Sequence, residues 1–308
     1  MIQVRSVNIS NAKGTIKTPA GIIRLTADGV ESDAHAGPWH RQVSLLGTES
    51  MEKFEHLTGR KIRYGEFAEN ITTTGLELWK CHPLDRFYND TIELEVTQIG
   101  KECHGSTCAI FREVGNCVMP KEGIFARVIK GGELKDGDTL VYLPKTYAVH
   151  IVTLSDRAHA GIYEDLSGPR IESMIRDFFT GHALPFTIHH SLIPDDPGLL
   201  SEILARCRNE KTDVVITTGG TGIGPKDFTP EVIHSVIDKE IPGIMDHIRL
   251  KFGTEKPQAL LSRSIAGVMG HSLVFALPGS VNAVTEYTGE ILKSLMHMIF
   301  MLNGLDQH

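Results

Sequence analysis

Basic charge is what this 308-residue sequence is short of: 31 lysines and arginines face 38 acidic residues, a formal net charge of −7. A nucleic-acid binder would carry a basic face or stripe, so nucleic acid is not an expected partner. Long apolar runs are missing as well. The most apolar segment, Leu295 to Leu302, closes an amphipathic pattern and is far shorter than the roughly 18 residues that suggest a bilayer span, so no membrane association is expected. The first residues, with Gln3 and Arg5 inside a strand-like pattern, contain no apolar signal core and give no indication of export. Cysteine is scarce and odd in number, five in all, which fits reduced thiols in a cytoplasm better than a disulfide framework. Three of the five, Cys103, Cys108 and Cys117, nevertheless fall close together.

Hydrophobic residues make up 41% and charged residues 22%, a globular composition long enough for two cores. The first half is rich in glycine turns and short β runs: Val4 to Ile9, Thr91 to Ile99 and Asp138 to Leu143. One helix stands out, Thr48 to Thr58, with Thr48 placed to cap it and Met51, Phe54 and Leu57 on one face. A mostly-β, barrel-like domain over residues 1–145 follows. After Lys145 strands alternate with helices: strand patterns at Tyr147 to Leu154, Phe186 to Leu192, Asp213 to Thr217 and Leu273 to Leu277. Helical patterns fall at Pro169 to Phe179, Leu199 to Cys207, from a Thr229 cap onward, and in a long final helix from Val281 to Leu302. Residues 146–308 therefore predict an α/β domain with a mostly parallel sheet, its ligands at the carboxyl ends of the strands.

The most informative stretch is Asp213-Val-Val-Ile-Thr-Thr218-Gly219-Gly220-Thr221-Gly222, followed by Asp227-Phe228-Thr229-Pro230-Glu231. A strand runs into a three-glycine loop, then a carboxylate, then a helix start. Glycine lets backbone amides reach a phosphate without an intervening Cβ. The loop is neither a Walker A motif nor a dinucleotide fingerprint: Gly224 is followed by Pro225, and Lys226 precedes an aspartate. A tight β–α turn alone would also need glycine, but the ordered succession of elements favours phosphate binding. Ser155-Asp156, Pro194-Asp195 and Pro278-Gly279-Ser280 end neighbouring strands, so Asp156, Asp195 and Asp227 are expected to converge where Mg²⁺ and phosphates would lie. Each aspartate taken singly is as well explained as a cap or turn former.

Thr218-Gly-Gly-Thr-Gly222, Asp227-Phe-Thr-Pro-Glu231, Ser155-Asp-Arg157, Ile193-Pro-Asp195, Leu261-Ser-Arg263 and Leu277-Pro-Gly279 together resemble the MogA/MoaB family of molybdenum-cofactor proteins. Phe228 where valine is usual, and Val281 where proline often stands, are the departures. The resemblance implies a three-layer α/β fold, a homo-oligomer, commonly a trimer, and an enzyme that joins ATP to molybdopterin to give adenylylated molybdopterin and pyrophosphate. It implies catalytic and Mg²⁺-binding roles for Asp195 and Asp227. Thr218, Gly219, Gly220, Thr221 and Gly222 would bind the phosphates. Ser155, Asp156, Ser262, Arg263, Pro278, Gly279 and Ser280 would complete the binding site, with Ser262 and Arg263 on the pterin or its phosphate.

Gly29 to Gly37 with Asp33 and His35, Gly65 to Ile71, Val96-Thr-Gln98 with Cys103, and Ala126 to Asp138 resemble a MOSC domain. That resemblance implies a module that carries sulfur or binds the cofactor, with Cys103 as the sulfur carrier and a cysteine desulfurase or molybdenum-insertion protein as partner. The proline often found before that cysteine is Glu102 here, and Lys101 and His104 are the nearby groups able to stabilise a thiolate. The spacing of Cys103, His104, Cys108 and Cys117 matches neither zinc nor common iron–sulfur patterns, and His35 and His40 read equally as pocket or surface histidines. The reading is a cytoplasmic, two-domain enzyme of molybdenum-cofactor biosynthesis. A non-catalytic pterin carrier or scaffold is the alternative, and activation of a different phosphorylated pterin is a third.

Overall fold

A computed structural model of the chain describes residues 1–101 and 118–305. The chain divides into two compact units, Met1–Lys145 and Thr146–His308.

The first unit is built from β1 (Ile2–Ile9), β2 (Thr18–Pro19), β3 (Ile22–Thr26), β4 (Gly29–Val30), β5 (Val43–Gly47), β6 (Ile71–Thr74), β7 (Arg86–Tyr88), β8 (Glu93–Ile99), β9 (Ile124–Lys130), β10 (Gly132–Lys135) and β11 (Thr139–Leu143). The main sheet runs β11-β7-β8-β9-β5-β6-β1, and β1 also pairs with β11, closing a seven-stranded barrel. Closure removes the unpaired edges that an open sheet of this size would expose. Val4, Val7, Leu45, Phe87, Leu94 and Val96 fill the interior. Helix α1 (Thr48–Thr58) packs Met51 and Phe54 onto a second cluster with Phe67, Phe125 and Met119, the last carried by the one-turn helix α2 (Met119–Glu122).

The second unit comprises β12 (Tyr147–Leu154), α3 (Asp156–His159), α4 (Ser167–Gly181), β13 (Phe186–Ile193), α5 (Pro197–Glu210), β14 (Val214–Thr218), α6 (Thr229–Val236), β15 (Lys239–Glu240), α7 (Pro242–Gly253), β16 (Ile265–Met269), β17 (Ser272–Leu277), α8 (Val281–Leu292) and α9 (Leu295–Leu302). Its sheet order is β13-β12-β14-β17-β16-β15. On one face Val152, Leu154, Val215 and Val274 pack against Leu200, Leu204 and Cys207 of α5 and Ile233 of α6. Helices α4 and α8 pack together and against β12 and β17.

Here the sheet departs from the mostly parallel one expected. β12, β13, β14 and β17 run parallel, but β16 and β15 are antiparallel to their neighbours, so the sheet is mixed. The cause is β16, an apolar run joined to β17 by the two-residue turn Gly270-His271, a hairpin signal that the βαβ pattern obscured. The final helix is likewise two, with Lys293 and Ser294 between α8 and α9. Neither threonine expected to cap a helix does so. Gly47 and Phe228 hold the cap positions, the Thr48 hydroxyl donates to Thr74 Oγ1, and the Thr229 hydroxyl donates to the Gly219 carbonyl.

A polar network lies inside the barrel. Glu69 is fully buried; its Oε1 accepts from the Gly65 amide at 2.5 Å and Thr72 Oγ1 at 2.9 Å, and its Oε2 has no partner. Burial pushes this carboxyl from 4.5 up to about 7. The folded state therefore holds the proton more tightly than the unfolded chain, so this contribution is fully present below pH 4.5 and is lost as pH rises through 7. Glu69→Gln should match the wild type in stability near pH 4.5 and exceed it by up to about 3 kcal/mol at pH 8. Both tryptophans, Trp39 and Trp79, lie in this unit, so urea unfolding followed by their fluorescence measures it directly. A difference between the two proteins that does not change with pH would refute the assignment.

Candidate active site

The carboxyl ends of β12, β13, β14 and β17 lead into four loops. The first two are tied by a reciprocal pair of bonds: the Asp156 amide donates to Asp195 Oδ2 at 3.2 Å, and the Asp195 amide to Asp156 Oδ1 at 3.0 Å. Lys226, from the loop after β14, reaches the other oxygen of Asp156 at 2.7 Å. That hydrogen bond, followed by the one from the Asp195 amide, holds the Asp156 carboxyl below its usual range. Asp156 and Asp195 thus come together at the strand ends, joined by Lys226, which the strand-end argument did not include.

Asp227 sits differently. Its Oδ2 accepts the Gly224 amide at 2.7 Å, closing the loop on itself. Asp195 Oδ1 and Asp227 Oδ1 accept no hydrogen bond from the described residues. Among those residues no group of three or more His, Cys, Asp or Glu side chains is close enough to enclose a metal ion.

The glycine loop owes its shape first to the main chain. Gly219 has φ +105, and a Cβ there would collide with the Leu154 carbonyl oxygen. Gly220 has φ +63, and its Cβ would meet Thr229 Oγ1 at 2.5 Å. These two glycines serve the turn itself, a structural requirement beside any phosphate clearance. Downstream of the turn, the amides of Gly220, Thr221 and Gly222 donate to no acceptor among the described residues, whereas those of Gly219 and Gly224 are engaged by the Leu277 carbonyl and by Asp227. Three successive N–H groups left open beside a sheet end are the makings of an anion cradle.

Arg263, expected on the pterin or its phosphate, is engaged within the chain. Nε donates to the Gly222 carbonyl at 2.7 Å, the guanidinium also bonds the Asp227 carbonyl at 2.5 Å and Glu231, and the Arg263 amide reaches the Thr221 carbonyl at 2.9 Å. It clamps the loop. Ser262 joins Thr221 and Ser264 in a weaker hydroxyl chain.

A cavity of about 240 Å³ adjoins these loops, walled by Ser155, Tyr163, Ser167, Thr218, Gly279 and Ser280 among others. Ser155 caps α3 and hydrogen-bonds Tyr163 Oη at 2.8 Å; Ser280 caps α8; Thr218 Oγ1 donates to the Pro278 carbonyl. Tyr163 and Ser167 were missed in the sequence. The available signal was Asp165, whose Oδ1 accepts the Ser167 and Gly168 amides just where a polar residue precedes Ser-Gly-Pro at the start of a helix.

In the first unit the resemblance motifs fold inward. Asp33 accepts the Ser10 and His35 amides and pairs with Lys17 at 2.5 Å, each side chain about 1% exposed. Burial opposes ionisation of Asp33, but hydrogen bonds from His35 and Lys17 outweigh it and hold the carboxyl well below its usual range. Lys17 was missed too. Asn70 bridges Ser44 and the Asn8 carbonyl, and His40 contacts Gln98 at 3.3 Å. A larger cavity, about 610 Å³, is lined by Lys17, Thr48, Met51, Arg63, Tyr64 and others, none of them a site residue expected from the sequence. Cys103, His104, Cys108 and Cys117, and with them the sulfur-carrier and metal readings, lie outside the described residues.

With this geometry in place the chain can be set beside known proteins. Residues 150–297 match a family described as a probable molybdopterin binding domain, and residues 32–141 match the MOSC domain. The chain is 31% identical over 161 residues to the molybdopterin adenylyltransferase of Helicobacter pylori strain J99, spanning 52% of this chain and 90% of that protein. The chain belongs to the MogA/MoaB family. A second relative, the molybdopterin adenylyltransferase of Escherichia coli K12, is 32% identical over 142 residues, 46% of this chain and 71% of its own. The crystal structure of the tungsten cofactor synthesizing protein MoaB from Pyrococcus furiosus is 33% identical, with a TM-score of 0.45, covering 52% of this chain and 98% of that one. The MogA/MoaB unit thus occupies the second half and a MOSC domain the first, in a chain of molybdenum-cofactor biosynthesis. No helix among the described residues is long and apolar enough to cross a membrane.

The loop geometry of this MogA/MoaB unit has a measurable cost. Gly219→Ala should destabilise the second unit by about 1–3 kcal/mol, since it forces an L side chain to positive φ against a carbonyl. Hydrogen exchange of the β14 amides would show it. Unchanged protection there would mean the loop adapts freely.

Proposed function

We propose that the second unit transfers AMP from ATP to molybdopterin, releasing pyrophosphate. The observation that carries this reading is the run of unengaged amides at Gly220, Thr221 and Gly222, with the Asp227 carboxylate against the same loop. A terminal phosphate oxygen of molybdopterin attacks the α-phosphorus of ATP, and the bond from that phosphorus to the bridging oxygen of pyrophosphate breaks. The nucleophile is already an anion, so no side chain need remove a proton. The chain's task is to align the two phosphates and oppose their repulsion. Loop amides hold non-bridging oxygens, and the cavity walled by Ser155, Thr218 and Gly279 excludes water from one side.

The free oxygens of Asp195 and Asp227 suit Mg²⁺, which is commonly held by one or two carboxylates plus substrate phosphates and needs no all-protein cage. Bound there, the ion would neutralise triphosphate charge. Arg263 acts one step back: its amide holds the Thr221 carbonyl and so sets the Gly222 amide, and its side chain braces the rest of the loop.

Incubating the purified chain with molybdopterin, ATP and MgCl₂ should yield adenylylated pterin by mass spectrometry and one pyrophosphate per product. Asp227→Asn should keep the fold and lose transfer by about 10²–10³-fold, the usual effect of removing one preorganised electrostatic contact. Near-normal turnover by the folded variant would remove Asp227 from the mechanism.

For the first unit, the family match across residues 32–141 supports sulfur handling at Cys103. Of the cysteines among the described residues, Cys81 and Cys207 are both buried. Burial, followed by the charge of Asp85, pushes the Cys81 thiol up to about 12, and burial raises Cys207 too. In the folded protein at neutral pH, limiting iodoacetamide should leave both unmodified. Sulfur delivered by a cysteine desulfurase should appear on Cys103 and vanish in Cys103→Ser. Persulfide on another cysteine, or on none, would move or remove the assignment.

A further inference from the structure

Three cationic side chains lie on or beside the loops at the carboxyl ends of the strands, and their partners differ. Arg263 is committed to the Gly222 and Asp227 carbonyls and to Glu231. Arg157 lies 4.9 Å over the ring of Tyr163. Lys226 is the third. Its side chain is 78% exposed, and its ammonium is held by Asp156 at 2.7 Å. That contact runs from the loop after β14 to the loop after β12, two adjacent parallel strands. It therefore joins two neighbouring strand ends, with Lys226 on the same connection as Gly220, Thr221 and Gly222.

We infer that Lys226 is a phosphate-binding latch: it rests on Asp156 in the free protein and transfers to the β- and γ-phosphates of incoming ATP. This rests on the adenylyl-transfer reading given above. An exposed lysine–carboxylate pair is weak and screened by salt, so little opposes its exchange for a more highly charged partner. A lysine ammonium on a flexible stem is suited to follow a phosphate chain rather than fix a plane. Release also leaves Asp156 with only its bond from the Asp195 amide. The aspartate pair then gains negative charge as the nucleotide arrives, which favours a divalent cation entering with ATP. The latch keeps the carboxylate pair partly neutralised until then.

The test is isothermal titration of the full chain with ATP, with and without MgCl₂, on wild type, Lys226→Met, Lys226→Arg and Asp156→Asn, each checked for its folded circular-dichroism spectrum. Lys226→Met should weaken ATP binding about tenfold or more, the loss of one charge-assisted phosphate contact, and Lys226→Arg should restore most of it. Asp156→Asn, which frees the lysine, should bind ATP more tightly than wild type when no divalent cation is present. A purely structural pair predicts weaker binding in both partner variants. In turnover, Lys226→Met should raise KM for ATP and leave KM for molybdopterin unchanged. Equal ATP affinity in wild type and Lys226→Met would overturn the latch while leaving the adenylyl-transfer reading in place. A wild-type chain that binds no ATP under either condition would overturn both.

Discussion

The grip of Arg263 on the loop after β14 is the contact on which the candidate site depends. Its side chain takes the Gly222 and Asp227 carbonyls, its amide takes the Thr221 carbonyl, and Glu231 balances its charge. A peptide carbonyl and the next amide point opposite ways, so Arg263 sets the Gly222 amide through the Thr221 carbonyl, while Thr229 sets those of Gly220 and Thr221 through the Gly219 and Gly220 carbonyls. The guanidinium suits the grip because it presents fixed, planar donors to two acceptors at once. Burial of Thr229 at the foot of the loop, with its hydroxyl on the Gly219 carbonyl, pins the other end. A loop held by carbonyls is rigid without help from bulky side chains, which leaves its outer face bare for a ligand.

The two units solve the problem of polar groups in opposite ways. The barrel takes charge inside and pairs it: Lys17 with Asp33, Asn70 with Ser44, Glu69 with the Gly65 amide. Buried charges are tolerated only with such partners, and the motifs Gly29 to Gly37 and Gly65 to Ile71 supply them. The α/β unit keeps its carboxylates at the strand ends, partly exposed and exchangeable. The motifs Gly29 to Gly37 and Gly65 to Ile71 therefore read as architecture.

Much of this was legible in the sequence, and for identifiable reasons. β12, β14, α4 and α5 have strong apolar periodicity, and the glycine loop follows its strand without interruption. Ser155, Thr218, Gly279 and Ser280 were assignable because parallel strands must deliver their carboxyl ends to one edge. What failed to show was anything fixed by side chains distant in the chain. The intrachain grip of Arg263 was not legible, because its spacing carries no record of the carbonyls 36 to 41 positions earlier that it binds. Lys17 had no local pattern to mark it. The antiparallel β16 was hidden by its own brevity and by a two-residue turn within an apolar stretch.

Gly219 and Gly220 are adjacent and both at positive φ, yet they differ in what could compensate for their loss. At Gly220 the obstacle is the Thr229 hydroxyl, a side-chain atom that a second substitution can remove. At Gly219 the obstacle is the main-chain oxygen of Leu154, which every amino acid carries. A second substitution can therefore relieve the clash at Gly220, though not the strain of its φ, and at the expense of the hydroxyl that holds the Gly219 carbonyl. At Gly219 no side-chain change removes the obstacle, because the backbone of a neighbouring strand supplies it.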